Sequence, residues 1–276
     1  MFGKSLYATF ALLALAATAC GSGQETYASV VDKAKNDKKL VIGVKADQPG
    51  LGLRTPDGAF TGFDIEVAKY VAKELGVGPA DITFKETVSA NREAFIEQGQ
   101  VDMVVATYSI TDARKQKVSF AGPYFVAGQD LLVRAGDGAL TGPEALNGKK
   151  LCSVAGSTPA QKVKSEYAEQ VQLQEERTYS ACVDRVLGGQ LDAITTDNVI
   201  LAGYAAQHAG KLKVVGKTFS TEKYGIGLKK DDTAGRKAVN DALQKMFSDG
   251  SWTKALQASV GASGFALPQA PALERY

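Results

Sequence analysis

The sequence predicts an α/β fold with two lobes, and three patterns support this prediction. Short apolar runs alternate with longer segments in which apolar residues recur at every third or fourth position. The alternation occurs in two blocks, residues 40–106 and 150–195, which is typical of sheets covered by helices on both faces. The extended runs 129–134 and 224–228 connect the blocks. We therefore expect two lobes joined by two hinge strands.

The first block has the order strand, helix, strand, helix, strand. The apolar run 40–44 predicts a buried strand, and residues 82–84 and 101–106 predict two more. Residues 64–75 and 92–98 predict the helices between them. One face of the first helix carries its apolar residues, namely Ile65, Ala68, Val71, Ala72 and Leu75. This face is expected to cover the sheet.

The second block repeats the alternation with its own elements. Its predicted strands lie at 150–154, near residue 172 and at 192–195, and its predicted helices at 159–169 and 181–187. An amphipathic helix over 238–247 follows the second extended run, and residues 261–276 predict a loosely held tail. The expected division is lobe 1 from residues 39–132 and 224–262, lobe 2 from residues 133–223, and a tail from residues 263–276.

Composition and missing motifs exclude several classes of protein. The 276 residues are 45% hydrophobic and 22% charged, which is typical of a globular protein with a buried core. A net charge of +2 gives no basic surplus that would indicate nucleic-acid binding. Motifs of zinc proteases, nucleotide-binding loops and serine hydrolases are missing from the sequence. His208 ends a predicted helix and is interpreted as structural. No enzyme activity, metal or cofactor is expected.

Residues 1–19 have the order of a secretory signal peptide. Lys4 precedes an apolar run that ends in small residues, and Cys20 follows directly. The run is shorter than the roughly 20 residues needed to cross a membrane. Cys20 resembles the cysteine of a bacterial lipobox, although Ala17 stands where leucine is usual. We expect export, lipidation of Cys20 and a linker over residues 20–38, with secretion and a spare cysteine as the alternative.

Three cysteines are an odd number for an exported protein. Lipidation of Cys20 would leave Cys152 and Cys182 as a pair, in a compartment where disulfides persist. A metal site is the alternative, but two thiols and a single histidine without close spacing fit it poorly. A disulfide between Cys152 and Cys182 is therefore predicted.

Polar side chains concentrate after the last strand of the first block. Thr107, Ser109 and Arg114 lie there, and ligands bind at the carboxyl ends of strands in open α/β sheets. An arginine guanidinium matches a carboxylate with two hydrogen bonds. The alternative is that Thr111 or Asp112 caps a short helix and that Arg114 faces water. Spacing alone favours neither interpretation.

Four segments resemble signature motifs of the polar amino-acid-binding proteins of ABC importers, periplasmic-binding-protein family 3. They are residues 62–66, 109–114, 120–124 and 156–158, which occur in the family's order within residues 40–260. The resemblance is greatest to actinobacterial glutamate- and aspartate-binding lipoproteins. It implies the type II two-lobed periplasmic-binding-protein fold, with one amino acid in the cleft between lobes that close about a hinge.

The resemblance also implies roles for residues of both lobes. In the first lobe Arg114 would clamp the ligand α-carboxylate, Ser109 would add a hydroxyl, and the Thr107 backbone would accept from the ammonium group. In the second lobe the implied carboxylate contacts are Ser157 and Thr158, and the implied ammonium partner is Asp197. Ser157 and Asp197 as ordinary helix caps are the alternatives. Such partners would offset the cost of burying a zwitterion.

A further set of residues indicates which side chain the cleft would accept. Ser89 and Arg92 resemble the stretch that holds the distal carboxylate in glutamate- and aspartate-binding members, and Lys45 stands where those members also place a cation. If Arg114 and Asp197 cancel, one cation is left over, which a ligand with an extra carboxylate would neutralise. An exposed Arg92 at a helix start is the alternative. Tyr179 is expected to add a hydroxyl.

The resulting hypothesis is a monomeric, lipid-anchored receptor on the outer face of the cell membrane. It would capture an acidic amino acid, glutamate first, with aspartate and the neutral asparagine as the next candidates, and deliver it to an ABC permease without turnover. The alternatives are a glutamine-binding receptor, a sensor subunit for a membrane kinase, and a dehydratase-like enzyme on the same scaffold, for which Asp47 or Asp197 would be the acid.

Overall fold

The computed structural model describes residues 27–166 and 171–275. The predicted signal peptide and Cys20 lie outside these residues, so lipidation stays a prediction. Within them the chain forms two lobes, each built on a five-stranded mixed sheet. The described part of the chain has no helix that is both long and apolar enough to cross a membrane.

Lobe 1 takes its elements from both ends of the chain. The first part contains α1 (Val30–Asp37), β1 (Leu40–Val44), β2 (Asp47–Gln48), β3 (Gly52–Arg54), β4 (Phe60–Thr61), α2 (Phe63–Glu74), β5 (Ile82–Glu86), α3 (Arg92–Glu97), β6 (Met103–Val104), α4 (Asp112–Lys115) and β7 (Ser119–Ala127).

Lobe 2 is one continuous stretch, after which the chain returns to lobe 1. Its elements are β8 (Gln129–Arg134), β9 (Lys150–Val154), α5 (Pro159–Glu166), β10 (Gln172–Glu176), α6 (Tyr179–Leu187), β11 (Ala193–Asp197), α7 (Asn198–Gln207) and β12 (Leu212–Val214). The returning elements are β13 (Glu222–Leu228), α8 (Thr233–Ser248) and α9 (Ser251–Val260).

The two sheets have the same arrangement of strands. In lobe 1 the order is β5-β1-β6-β13-β7, in which β5, β1 and β6 are parallel and β13 is antiparallel to its neighbours. In lobe 2 the order is β10-β9-β11-β8-β12, in which β10, β9 and β11 are parallel and β8 is antiparallel to its neighbours. The antiparallel strand inside each sheet is β13 in lobe 1 and β8 in lobe 2. Each of these strands directly follows a segment in which the chain crosses from one lobe to the other.

The crossings themselves lie side by side. Gln129 pairs within lobe 2, so we place the first crossing at Gly128, slightly before the predicted boundary at residue 133. The Phe219 N–H of the second crossing donates to the Gln129 carbonyl at 3.0 Å. A Cβ on Gly128 would meet the Thr218 side chain at 2.8 Å, so glycine allows this close approach. The predicted lobe boundaries otherwise stay a proposal.

The predicted strand over residues 101–106 is shorter in the structure, where β6 spans Met103–Val104. Its register with β1 covers two residue pairs, Ile42↔Met103 and Gly43↔Val104. The Val105 N–H still donates to the Gly43 carbonyl of β1 at 2.8 Å. The chain then leaves the ladder, and the Thr107 N–H donates to a carboxylate oxygen of Asp64 at 2.8 Å. Thr107 itself has a positive φ of 44°, which turns the backbone toward the cleft.

The C-terminal region packs on lobe 1, in contrast to the predicted loose tail. Trp252 of the unpredicted helix α9 donates its Nε1–H to the Tyr124 carbonyl at 2.8 Å, and its ring lies 5.6 Å from that of Phe63. Beyond α9, the ring of Phe265 lies 6.4 Å from that of Phe125. Further apolar residues of this segment contact the same core, namely Leu267, Ala270 and Leu273. Their spacing follows neither helix nor strand, so the sequence pattern gave no signal.

The predicted disulfide is confirmed between Cys152 on β9 and Cys182 on α6. Both residues are fully buried, and their Cα atoms are 5.7 Å apart. The bridge links sheet and helix within lobe 2 across a sequence separation of 30 residues. A covalent link of that span reduces the conformational freedom of the unfolded chain.

Removing this disulfide should destabilise the protein without removing the ligand-binding residues. For Cys152→Ala/Cys182→Ala we expect the free energy of unfolding to fall by about 3–4 kcal/mol, from the loop-closure estimate. Urea denaturation under non-reducing conditions measures the change. Wild type in reductant is the matched control and should show a similar loss. A change below about 1 kcal/mol in both would contradict the estimate.

Candidate functional site

A polar space lies between the two lobes. It is a narrow space that opens in part to solvent. The residues that line it are Ser89, Arg92, Thr107, Ser109 and Arg114 of lobe 1 and Ser157, Thr158, Pro159, Tyr179, Thr196, Asp197 and Ile200 of lobe 2. Every predicted ligand residue except Lys45 belongs to this set. Their role in binding stays a proposal, but the fold brings them together.

Arg114 is held on one side of this space. Thr111 does cap α4, since its hydroxyl accepts from the Arg114 N–H at 3.2 Å, yet the Arg114 side chain is buried at 8% exposure. Its Nη1 donates to the Ser109 carbonyl at 2.7 Å, and its Nη2 donates to the Gly156 carbonyl of lobe 2 at 3.0 Å. Its Nε lies 3.2 Å from Glu93 Oε1. The Arg114 guanidinium has five N–H groups, and three of them contact these described partners. One N–H on Nη1 and one on Nη2 are left for a ligand.

Thr107 and Ser109 follow β6 at the edge of the same space. Asp64, fully buried in α2, accepts from the Thr107 N–H and from the Tyr124 hydroxyl, each at 2.8 Å. Burial raises the pKa of Asp64 to about 6. The Thr107 carbonyl already accepts from Arg92 Nη1 at 3.3 Å, and its second lone pair is the one that an ammonium group would use.

Asp197 stands at the opposite side, at the end of β11. It occupies the N-cap position of α7, but its side chain makes no capping hydrogen bond. Oδ2 accepts from the Tyr224 hydroxyl at 2.5 Å, whereas Oδ1 has no hydrogen-bond partner among the described residues. Burial, followed by the nearby Glu222, raises the pKa of Asp197 to about 7. A buried carboxylate oxygen without a donor is an acceptor suited to a cationic ligand group.

Arg92 is buried at 2% exposure, which excludes the solvent-facing alternative. Its Nη1 donates to the Ala106 and Thr107 carbonyls at 3.1 and 3.3 Å, and its guanidinium lies 4.2 Å from the centre of the Tyr108 ring. Within the described residues, no aspartate or glutamate forms a salt bridge with Arg92. Burial, and then repulsion by Arg114, lowers the pKa of Arg92 to about 10.

Lys45 lies behind this space rather than on its wall. Its Nζ donates to Ser89 Oγ at 2.7 Å, and Ser89 lines the space. Lys45 itself lines a neighbouring pocket, which shares Tyr179 with the central space. Burial, and then repulsion by Arg92, lowers the pKa of Lys45 to about 7. Lys45 therefore reaches the central space through the Ser89 hydroxyl.

The lobe 2 residues come from strand ends and helix starts. Ser157 and Thr158 directly precede α5, and Ser157 Oγ lies 3.2 Å from Ser153 Oγ. Tyr179 is the first residue of α6, and its hydroxyl accepts from Thr196 Oγ1 at 2.7 Å. Thr196 was not singled out from the sequence, although it directly precedes Asp197. The N–H groups at the start of a helix favour negative charge.

Charged groups of both signs surround the space. Lys45, Arg92 and Arg114 lie there with Asp197 and Glu93, and the carboxylates of Asp47 and Glu222 also act on this region. The ion-pair partner of Arg114 is Glu93, which the sequence did not reveal. Asp64 is also near, but its oxygens accept from a backbone N–H and a hydroxyl. The described residues contain no metal-binding cluster.

The chain is similar to known proteins in sequence and in fold. Residues 40–261 match the bacterial extracellular solute-binding proteins, family 3. Glutamate-binding protein GluB of Corynebacterium glutamicum is 45% identical over 94% of this chain and 90% of its own length. The ABC transporter glutamine-binding protein GlnH of Bacillus subtilis is 37% identical over 91% of this chain and 94% of its own length. The structure of an ancestral arginine-binding protein bound to glutamine matches with a TM-score of 0.74 and 33% identity, over 81% of this chain and 98% of that one.

Proposed function

Because the chain belongs to the bacterial extracellular solute-binding proteins of family 3, we propose that it captures an acidic amino acid, first of all glutamate, for an ABC importer. One observation carries the choice of ligand. Arg92 and Lys45 are buried beside the central space, and no described carboxylate forms an ion pair with either of them. Burying an unpaired charge is costly, so a ligand that brings the missing carboxylate is favoured. The resemblance to GluB supports the same ligand.

In the proposed pose, each charged group of glutamate contacts a different part of the space. The α-carboxylate lies against the free N–H groups of Arg114 and the start of α5, and the ammonium group lies against Asp197 Oδ1. The side chain then extends toward Ser89 and Arg92, where a γ-carboxylate meets a guanidinium and a hydroxyl that Lys45 polarises.

Replacing Arg92 with methionine should change selectivity more than it changes binding in general. For Arg92→Met we expect glutamate affinity to fall about 100-fold, because the γ-carboxylate would be buried without its charged partner. Glutamine carries no such charge, so its affinity should change by less than about tenfold. Isothermal titration calorimetry with both amino acids gives the ratio.

Arg54→Met, on an exposed arginine of the same lobe, is the matched control for this experiment. Circular dichroism establishes that both variants are folded. If Arg92→Met kept the wild-type preference between glutamate and glutamine, the assignment of the distal pocket would be wrong. A wild type that prefers glutamine would support the second candidate, a glutamine-binding receptor, which the similarity to GlnH favours.

The family and the carboxyl groups of the cleft both support binding without turnover. Asp47 accepts from backbone N–H groups of α6, and Asp197 accepts from Tyr224, so both candidate acids already hold structural partners. A dehydratase-like enzyme remains the alternative on this scaffold. Nuclear magnetic resonance of glutamate and of small hydroxy acids incubated with the protein should show unaltered compounds.

The remaining proposals concern location and partners. We propose that the chain is exported, that Cys20 carries a lipid anchor on the outer face of the cell membrane, and that the monomer docks on a membrane permease. The family supports an extracellular location. A sensor subunit for a membrane kinase would use the same binding site, and loss of glutamate uptake on deletion of this protein would favour transport.

A further inference from the structure

Asp47 of lobe 1 contacts two helices of lobe 2. Its Oδ2 accepts from the N–H groups of Tyr179 at 2.8 Å and of Ser180 at 3.3 Å, both in the first turn of α6. The hydroxyl of Tyr204, on α7, lies 3.2 Å from the same Oδ2 and also donates to the Asp47 carbonyl. The side chain of Asp47 therefore connects lobe 1 to both α6 and α7 of lobe 2.

These contacts satisfy groups that α6 itself leaves open. The first N–H groups of a helix have no acceptor within the helix. Thr178 caps α6 in the usual way, since its hydroxyl accepts from the Ala181 N–H at 3.4 Å. The carboxylate of Asp47 accepts hydrogen bonds from the N–H groups of Tyr179 and Ser180, which precede Ala181. The helix dipole favours negative charge at this position. When the lobes separate, both N–H groups lose this acceptor.

The neighbouring backbone is packed just as closely. A Cβ added to Gly203, inside α7, would meet the Pro49 carbonyl oxygen of lobe 1 at 2.4 Å. Glycine is unfavourable within a helix, so its presence here matches the need for close approach between α7 and the loop that carries Asp47. Burial, and then the charge of Asp47, raise the pKa of Tyr204 well above its usual value, so its hydroxyl remains a donor.

We propose that Asp47 and Tyr204 form a latch that holds the closed lobes together and thereby sets the rate at which a bound amino acid leaves. Asp47 does not line the central space, but the residue that it holds, Tyr179, does. Asp47 is thus a positioning residue that acts through Tyr179 and through the closed arrangement of the lobes. This inference rests on the proposed function as an amino-acid receptor.

Dissociation kinetics of three variants test the latch. We expect Asp47→Ala to raise the dissociation rate constant of glutamate about 10- to 100-fold, and Tyr204→Phe to raise it about three- to tenfold, since hydrogen bonds to a charged group are lost. The association rate constant should change by less than about threefold, because the latch forms after the ligand enters. Stopped-flow measurements with glutamate and glutamine supply both constants.

Three readouts separate a latch from a general structural role. The double variant should dissociate faster than either single variant, because Asp47→Ala leaves the Tyr204 hydrogen bond to the Asp47 backbone carbonyl in place. Glutamate and glutamine should be affected by the same factor, unlike in Arg92→Met. The thermal midpoint without ligand should match that of Asp57→Ala, the matched control on an exposed aspartate of lobe 1.

An unchanged dissociation rate in Asp47→Ala, with a wild type that binds, would overturn the latch alone. A double variant that dissociates no faster than Asp47→Ala would also overturn the two-residue latch, because it would show that Tyr204 contributes nothing to holding the lobes. A wild type that binds neither glutamate nor glutamine would overturn the proposed function and the latch with it. An Asp47→Ala effect that is confined to association would assign Asp47 to ligand entry and would also refute the latch.

Discussion

Replacing Arg114 with alanine should weaken the binding of any amino acid by about 1,000-fold. The guanidinium connects three parts of the site: it donates to Ser109, pairs with Glu93, and reaches across the cleft to the Gly156 carbonyl. In the proposed pose its remaining N–H groups hold the α-carboxylate, which glutamate and glutamine share. Leaving that carboxylate and Glu93 unpaired should cost about 3–5 kcal/mol, or roughly a 1,000-fold loss of affinity.

Calorimetry with glutamate and glutamine measures this loss. Arg114→Lys keeps the charge but loses the two-pronged geometry, so it should fall between alanine and wild type. Arg54→Ala, on an exposed arginine of lobe 1, should bind like the wild type. Retention of near wild-type affinity by a folded Arg114→Ala variant would show that the α-carboxylate is held elsewhere.

Replacing Asp197 with asparagine should give the second largest effect. The substitution keeps the shape and the contact with Tyr224 but removes the charge that faces the ammonium group. We expect affinity for glutamate and glutamine to fall about 100-fold, in keeping with the loss of one partner of a buried ion pair. Asp184→Asn, on an exposed aspartate of lobe 2, is the matched control and should bind normally.

Asp197 also predicts how binding depends on pH. Its pKa is about 7 in the empty closed site, and a bound ammonium group would lower it, so binding releases a proton. Affinity should therefore weaken as pH falls below 7, approaching about tenfold per pH unit, and Asp197→Asn should lose this dependence. Titrations of glutamine between pH 5 and pH 7 isolate the effect from the distal carboxylate. A wild-type affinity that is constant over this range would contradict the assignment.

Most of the fold followed from local patterns in the sequence. The apolar run 40–44 is strand β1, and four of the five residues on the predicted apolar face of α2 are buried, with Leu75 at the margin. Such patterns are local, because each strand or helix presents one face to the core. The C-terminal segment could not be found this way, because rings from distant parts of the chain hold it in place.

The site could be predicted in its residue types but only partly in its contacts. Sequence reasoning left open whether Thr111 caps a helix or Arg114 binds a ligand, and the structure shows that the cap is what places the buried arginine. The pairing of Glu93 with Arg114 and the position of Lys45 behind Ser89 depend on how α3 packs beside α4 and β1. The contacts of Asp47 depend on the closure of two lobes, which no local pattern encodes.

The insertion of lobe 2 within lobe 1 has a consequence for synthesis. β7 and β13 pair although nearly the whole of lobe 2 separates them in the chain. All five strands of lobe 2 leave the ribosome before β13 does. Lobe 2 can therefore complete its sheet during translation, while lobe 1 must wait with the edge of β6 uncovered. Pairing across so long a separation is slow, and we expect nascent lobe 1 to be the part of the molecule that engages chaperones.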